Sequence, residues 1–600
     1  VATTSDVTIN AGTITNVYGG GNQASLTTSN VLINNGTITN IYGGGNQAGV
    51  NTTNVNILGG SVENAFGGSN ASGDVNKTNV VVGEEGSTKD LIKVDISTSP
   101  VEATWQSSTY ATYADVTVTL TNLTDQAISD WQIKLNMPED AVFYSNWSNT
   151  DFTIESGVGL VDSKNKYDAN NPNKINANGT YSFTFAVLTN TSVSDFSVTS
   201  SVIKPASEIT TSDVTVGNLY GGNNQGGLTS DSNVLVNSGV IGNIYGGGNL
   251  AAVDQSKVII KDGTIEKVFG GGNAAGVNGD TFVDIDKALI TNNIYGGGNE
   301  GPVTGNTDVY LTDAEVRGSA YAGGNGQAAI VLGNSTITVD GKTIVGTETS
   351  VSPQAGCVFG GGNAAGNGGN NKLSVATVNI VGGTIYGNVY GGANTAIVNG
   401  STVTNIGTVA VNNNNLVESD LKISGTVFGG GEANASGSEI YDWTYIAVTK
   451  SIDVIINGNG YSDNNHQFVL NGSIFGSGNA STSAGTSSIY IKDLGTRDNP
   501  NKNISVQRTN SLVIDHSCIE LSGIKDRTNE YSDIPYSFNK IDKLVVKNNT
   551  VLLLHKNANL LLEFYSGVDV DGTLVPATVT IDDDTKKVTK NVDNRIYMSP

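Results

Sequence analysis

Residues 12–22 read GTITNVYGGGN and residues 36–46 read GTITNIYGGGN. The same unit of β-branched pair, aromatic ring and glycine run recurs as AFGGSN, LYGGNN, IYGGGN, VFGGGN and further variants. Its ring stands at positions 18, 42, 66, 220, 245, 269, 295, 321, 359, 390, 428 and 475, so the steps are 24, 24, 154, 25, 24, 26, 26, 38, 31, 38 and 47. A fixed period of this size is the mark of a stacked architecture. Ahead of each glycine run lie two short alternating segments, such as DVTIN and GTITNVY, each too short for a helix and joined through glycine or asparagine. Three strands of about 3 to 5 residues account for one lap, and successive laps pair at about 4.8 Å. The prediction is an all-β chain: a parallel β-helix of about 24 residues per lap, roughly 60 to 70 Å long. Asparagine and glycine at the corners are expected to supply positive φ, and stacked asparagines to bond as ladders.

Composition agrees with this reading. Glycine is 76 of 600 residues and proline only 10, without an every-third-residue rule, which excludes collagen and a proline-rich linker. Charged residues are 14 %, as expected where like charges stacked lap on lap would repel. The net charge of −24 makes nucleic acid and anionic lipid poor partners. Two cysteines, Cys357 and Cys518, and three histidines, His466, His516 and His555, suit neither a disulfide framework nor a zinc cluster, so no metal or cofactor is predicted. No apolar run reaches the length of a membrane span. The chain opens at Val1 inside a repeat, which suggests a fragment whose export and anchoring signals lie elsewhere.

The once-per-lap ring should form a column. Val17 and Tyr18 are adjacent and cannot both face inward on a regular strand, so a packing ladder and an exposed sugar platform both remain open. The longer steps after Tyr321 predict corner loops at Leu332 to Gln354 and Asn405 to Ser419. Past Asn503 the glycine signature fades into more aliphatic laps.

The step of 154 marks an insertion. Between Asp90 and Lys204 the glycine corners vanish, three of the four tryptophans appear, and longer alternating segments such as YADVTVTLTNL and GTYSFTFAVL follow one another. These predict an antiparallel β-sandwich. The predicted boundaries are 1–84 for the first laps, 85–206 for the sandwich, 207–502 for the continued β-helix and 503–600 for the aliphatic laps. Trp131 alternates with Ile133 and Leu135 and is expected in the sandwich core. Trp105 lies outside the alternation and Trp147 sits in the polar turn YSNWSN, which suits exposed rings. A sugar ring presents an apolar C–H face that stacks on such a surface.

Two resemblances follow from these residues. The GGTIxxVYGGGN unit and the tail SLVIDHSCIELSGIKDRTNEYSDIP resemble large adhesin-like β-helix surface proteins of Clostridia. That implies a secreted protein of the Gram-positive cell surface and says little about its ligand. The segment TWQSSTYATYADVTVTLTNLTDQAISDWQIKLNMPEDAVFYSNWSN, with NANGTYSFTFAV after it, is similar to family 2 carbohydrate-binding modules. The resemblance implies a β-sandwich with a flat row of rings for cellulose or xylan. It places Trp105 and Trp147 at the first two platform positions and Trp131 in the core. The third platform tryptophan is missing, Tyr167 being the nearest aromatic residue, and the insertion lacks the terminal disulfide of many members.

Enzyme chemistry has little support. A β-helix lyase or glycosidase would need a basic residue beside an acidic Ca²⁺ cluster, or two carboxylates about 5 to 9.5 Å apart. Arg317 with Asp313 and Glu315 reads as a surface salt-bridge group, and Asp582 to Asp584 as a solvated turn. Glu300 and Glu432 replace ordinary residues of the glycine unit in laps too distant to face one another. Thr-x-Thr rows of an ice- or mineral-binding face begin at Gly12 and Gly36 and lapse at once. The expectation is a non-catalytic extracellular adhesin that binds cellulose or another plant polysaccharide through Trp105, Trp147 and Tyr167. A polysaccharide-degrading enzyme and a surface filament or phage fibre are the alternatives.

Overall fold

The computed structural model describes residues 3–598 other than 86, 90, 105–109, 125, 147, 169–171, 205–207, 211–213, 351–354, 370, 409–418, 433–445, 462–465, 480, 523–540, 549, 555–564, 569–573, 577–579, 583–586 and 590–594. The chain forms two compact units, Val1–Glu85 with Ser212–Pro600, and Gly86–Thr211.

The first unit is a parallel β-helix. Fifteen strands, from Thr4–Ile9 to Ile541–Lys547, make one parallel sheet in lap order. A second parallel face runs beside it through Thr13–Tyr18, Thr37–Tyr42, Gly60–Phe66 and their successors. Strands of the long sheet have mostly 6 to 8 residues in the early laps, longer than the sequence suggested. The third side is a corner held by single bridges such as Val253↔Val277↔Val303↔Val331. Alternating β-branched residues explain the long strands: Val31, Ile33, Val55 and Ile57 point into the core while Asn30 and Asn54 point out.

Val75–Val82 pairs in register with Thr229–Val236, and Gly60–Phe66 with Val214–Tyr220, so laps on either side of the insertion are direct neighbours. The ring of Phe66 stacks on that of Tyr220 at 4.7 Å, although the two stand 154 positions apart in sequence.

The ring column faces inward. From Tyr18 to Phe475 the rings stack in succession with centroids 4.6–5.1 Å apart. Ile41 and Tyr42 are both buried, which a regular strand forbids. They join different clusters: Ile41 belongs to the main aliphatic core and Tyr42 to the ring stack. Both faces of the strand are covered at this point, so the exposed sugar platform is excluded for this column.

The glycine runs answer to sterics, contrary to expectation. Gly43 has no positive φ, yet a Cβ there would lie 2.2 Å from the carbonyl oxygen of Gly67 in the next lap. Positive φ belongs instead to the glycine that opens the strand, as at Gly12 with φ 108°. The carbonyl of the run's first glycine accepts a hydrogen bond from a buried hydroxyl. Thr53, Thr78 and Thr281 donate to Gly67, Gly221 and Gly296 at 2.6 Å. Asparagine amides bond lap to lap outside the rings, as in Asn46 to Asn22, Asn70 to Asn46 and Asn273 to Asn249, each 2.9 Å.

The corner loops begin later than predicted. Residues 335–345 belong to lap strands Ser335–Asp340 and Ile344–Val345, and the extra chain follows Val345. Asn405 lies within the strand Gly400–Gly407, while 409–418 lie outside the described residues. After Asn503, strands Thr509–Asp515, Cys518–Ser522, Ile541–Lys547 and Val551–Leu554 continue the stack, and Arg595–Met598 adds to it in parallel.

The second unit holds two four-stranded antiparallel sheets. One has the order Val142–Asn146, Thr180–Thr189, Thr112–Asn122, Ile92–Glu102; the other Thr150–Glu155, Val158–Asn165, Gln132–Asn136, Thr199–Lys204. Val116, Leu120, Ile133, Leu135, Phe183 and Phe185 fill the space between them, with Trp131 fully buried at its centre. Ser87–Lys89 pairs with Glu208–Thr210, so the chain enters and leaves this unit side by side.

Candidate functional site

Trp105 and Trp147 lie outside the described residues. Tyr167 is described, and its side chain is 76 % exposed in the turn after Val158–Asn165. Asn165 builds that turn by accepting the Tyr167 N–H at its Oδ1, 3.0 Å away. The Lys166 ammonium stands 5.0 Å from the Tyr167 ring centroid.

The turn is anchored at two points. The Lys166 N–H donates to the Asn149 carbonyl at 2.9 Å, which sets the Tyr167 turn beside the Asn146–Thr150 segment. Asn146 Oδ1 accepts the N–H and hydroxyl of Ser148 at 2.8 and 2.7 Å, and Thr150 bonds the Tyr181 hydroxyl at 2.8 Å. On the inner side, Asn173 Nδ2 donates to the Lys164 carbonyl at 3.0 Å, and the Asn173 carbonyl accepts Trp131 Nε1 at 2.6 Å. The buried tryptophan therefore braces the loop that carries Tyr167. The sandwich brings Tyr167 next to the chain segment that contains position 147.

Two exposed rings were not singled out from the sequence. Phe143 and Tyr144, 43 % and 47 % exposed, stand on Val142–Asn146, the strand that leads to Trp147. This strand is at the edge of its sheet and has a bulge between Phe143 and Ser145, so consecutive apolar side chains all reach solvent. The usable signal was the run VFY, which breaks alternation just before a polar turn. Tyr144 meets the ring of Tyr113 edge-on at 5.7 Å and 86°. Desolvation, with the hydrogen bond from Tyr113 to Asp115, pushes the Tyr113 phenol up to about 12, so it stays a neutral donor at physiological pH.

The other candidates are placed as follows. Arg317 pairs with Glu315 at 3.1 Å on the surface. Cys357 and Cys518 are buried, and Cys357 Sγ accepts the Asn388 N–H at 3.4 Å. Glu432 takes an asparagine position in the ladder and accepts Asn479 Nδ2 at 2.8 Å, in a lap far from that of Glu300. His466 and His516 hold Asp420 and Asp493 at 3.2 and 2.7 Å. Asp582 ends the strand Thr580–Asp582, and Asp583, Asp584 and His555 lie outside the described residues. Among the described residues, no three His, Cys, Asp or Glu side chains converge as metal ligands, and no helix is long and apolar enough to cross a membrane. A scan of the chain against protein-family models gives no match, and a search of curated proteins gives none either.

Proposed function

We propose that this chain is an extracellular, non-catalytic cell-surface adhesin whose inserted sandwich binds insoluble plant polysaccharide by ring stacking. The observation that carries the reading is the exposure of aromatic side chains on the sandwich, Tyr167 in its turn and Phe143 and Tyr144 on the bulged edge strand. Tyr167, Phe143 and Tyr144 stay in solvent although the core is complete without them. Exposed rings held on braced turns suit the apolar face of a sugar better than they suit stability. The resemblances to clostridial surface proteins and to family 2 carbohydrate-binding modules point the same way, with Trp105 and Trp147 as the principal rings and Tyr167 beside them. The β-helix supplies a stiff carrier.

The test is retention of the full chain on microcrystalline cellulose and insoluble xylan. The chain should be retained on at least one of them, and a chain lacking Gly86–Thr211 should pass through both. Trp147→Ala and Tyr167→Ala should each reduce retention. Stacking on uncharged sugars leaves little for salt to screen, so retention should hold between about 0.05 and 1 M salt. A steep loss over that range, or equal retention after the deletion, would overturn the reading.

A further inference from the structure

The outer face of the fifteen-stranded sheet mostly follows the repeat. One of its columns begins as amides bonded lap to lap, Asn79 to Asn54 at 2.9 Å and Asn54 to Asn30 at 2.8 Å. Two adjacent laps depart from that pattern. Phe282 and Asp284 on Thr281–Asp286 stand opposite Asp308 and Tyr310 on Thr307–Thr312, in register. Each ring therefore faces a carboxylate, the two rings lie on one diagonal and the two carboxylates on the other. The ring centroids are 5.5 Å apart with planes tilted by 39°. In the preceding lap Lys257 lies opposite Phe282, its ammonium 5.4 Å from the ring centroid. In the following lap Thr336 lies opposite Asp308. The core does not use these side chains, because Val283, Ile285, Val309 and Leu311 fill it from the same strands. Tyr310 is 39 % exposed.

We propose that Phe282, Tyr310, Asp284 and Asp308 form a second glycan-binding site, on the β-helix itself, that takes one uncharged pyranose unit of a chain. The exposed Tyr310 ring offers a face for sugar C–H groups, and the flanking carboxylates accept hydrogen bonds from hydroxyls on either side of it. Two carboxylates repel an anion. An organic cation would meet the Lys257 ammonium, which already stands over Phe282. A neutral ring with hydroxyl donors meets neither obstacle. Burial raises both carboxyl pKa values, with Asp286 adding repulsion at Asp284 and Asp280 at Asp308, so donors that complete their hydrogen bonding are favourable.

The site is independent of the sandwich, and the experiment separates the two. The full chain carrying Trp105→Ala and Trp147→Ala is titrated with cellohexaose, xylohexaose and mannohexaose by saturation-transfer NMR and calorimetry. At least one should bind, with a Kd on the order of 1 mM. Tyr310→Ala and Asp308→Asn should each weaken it about tenfold or more without changing the melting temperature, and Tyr310→Phe should keep it. If none of the three binds, or if the binding seen survives Tyr310→Ala and Asp308→Asn unchanged, the site does not exist. Failure of the sandwich reading would show instead as polysaccharide retention indifferent to the two tryptophans.

Discussion

The β-helix and the sandwich use the same aromatic residues for opposite ends. Tyr42, Tyr245 and Tyr390 follow a β-branched residue, precede glycine and are buried in a stack whose next member is always one lap away. Tyr144 and Tyr167 precede polar turns at strand ends, have no next lap and remain in solvent. A ring in a repeating chain thus gains its partner from translation along the axis. A ring at the edge of a closed sandwich gains no such stacked partner: Tyr144 meets only the edge of Tyr113, and both Tyr144 and Tyr167 stay open to a ligand. Glycine follows most of these rings, and at Gly43 a Cβ would crowd the Gly67 carbonyl, although Ala322 takes the same place after Tyr321 and that ring still stacks at 5.1 and 4.7 Å on its neighbours.

The largest expected effect breaks this comparison most directly. Phe359 is fully buried and stacks at 4.7 Å on Tyr321 and 4.6 Å on Tyr390. Phe359→Ala should cost about 3–5 kcal/mol, read as a lower denaturant midpoint of the β-helix. Tyr144→Ala should cost less than about 0.5 kcal/mol while reducing polysaccharide retention. Equal stability losses would mean that the two kinds of ring do not differ.

Next come the glycines. Gly43→Ala forces a Cβ against backbone and should cost about 1–3 kcal/mol. Gly12→Ala meets nothing within 4 Å and pays only for its φ of 108°, so about 1 kcal/mol is expected. The reverse order in thermal or chemical denaturation would restore conformational freedom as the reason for the GGG run. Thr53→Val belongs with this group. It removes the hydroxyl that satisfies the Gly67 carbonyl at 2.6 Å, and about 1–3 kcal/mol should be lost.

These contrasts explain what could be read in advance. Period, lap and insertion were legible because Asn and ring positions repeat in register, as Tyr18↔Tyr42 and Asn16↔Asn40 show. Burial of Trp131 was legible from alternation. The burial of both Ile41 and Tyr42 was not, because alternation assumes one covered face and here the ring stack is buried as well as the aliphatic core. Gly43 was misread for a related reason: its constraint comes from Gly67 in the next lap, and local φ preference carries no trace of that neighbour. The lap strands in 335–345 fall inside the expected loop because STITVD keeps the β-branched rhythm without the glycine signature. In the candidate site Tyr167 is exposed as expected, whereas Phe143 and Tyr144 escaped notice because a bulged edge strand suspends alternation.

The smallest expected effect concerns acid. Amides, hydroxyls and rings, which do not change charge between about pH 3 and 7, form most of the β-helix ladders, with carboxylates only at places such as Asp6, Asp254 and Glu432. The sandwich edge does depend on a carboxylate. Asp140 accepts Thr189 Oγ1 and the Asn190 N–H, both at 2.6 Å, and so ties the chain just before Val142–Asn146 to the end of Thr180–Thr189. The Thr189 hydrogen bond, with that of Asn190, holds the Asp140 pKa below its usual value. A folded-state pKa below the unfolded one contributes stability above the unfolded value of about 3.9 and loses it as pH falls through the folded value. Acidification from neutral pH should therefore leave the sandwich edge intact down to about pH 4 and loosen it below. Amide exchange of Val142–Asn146, corrected for its intrinsic rate, should accelerate in that window while exchange at Val55 and Ile57 of the β-helix does not. Asp140→Ala should show the faster edge exchange already at pH 7 and little further change on acidification. Protection of the edge strand that is equal at pH 3 and pH 7 would mean that the strand beneath the exposed rings is held by its backbone ladder alone.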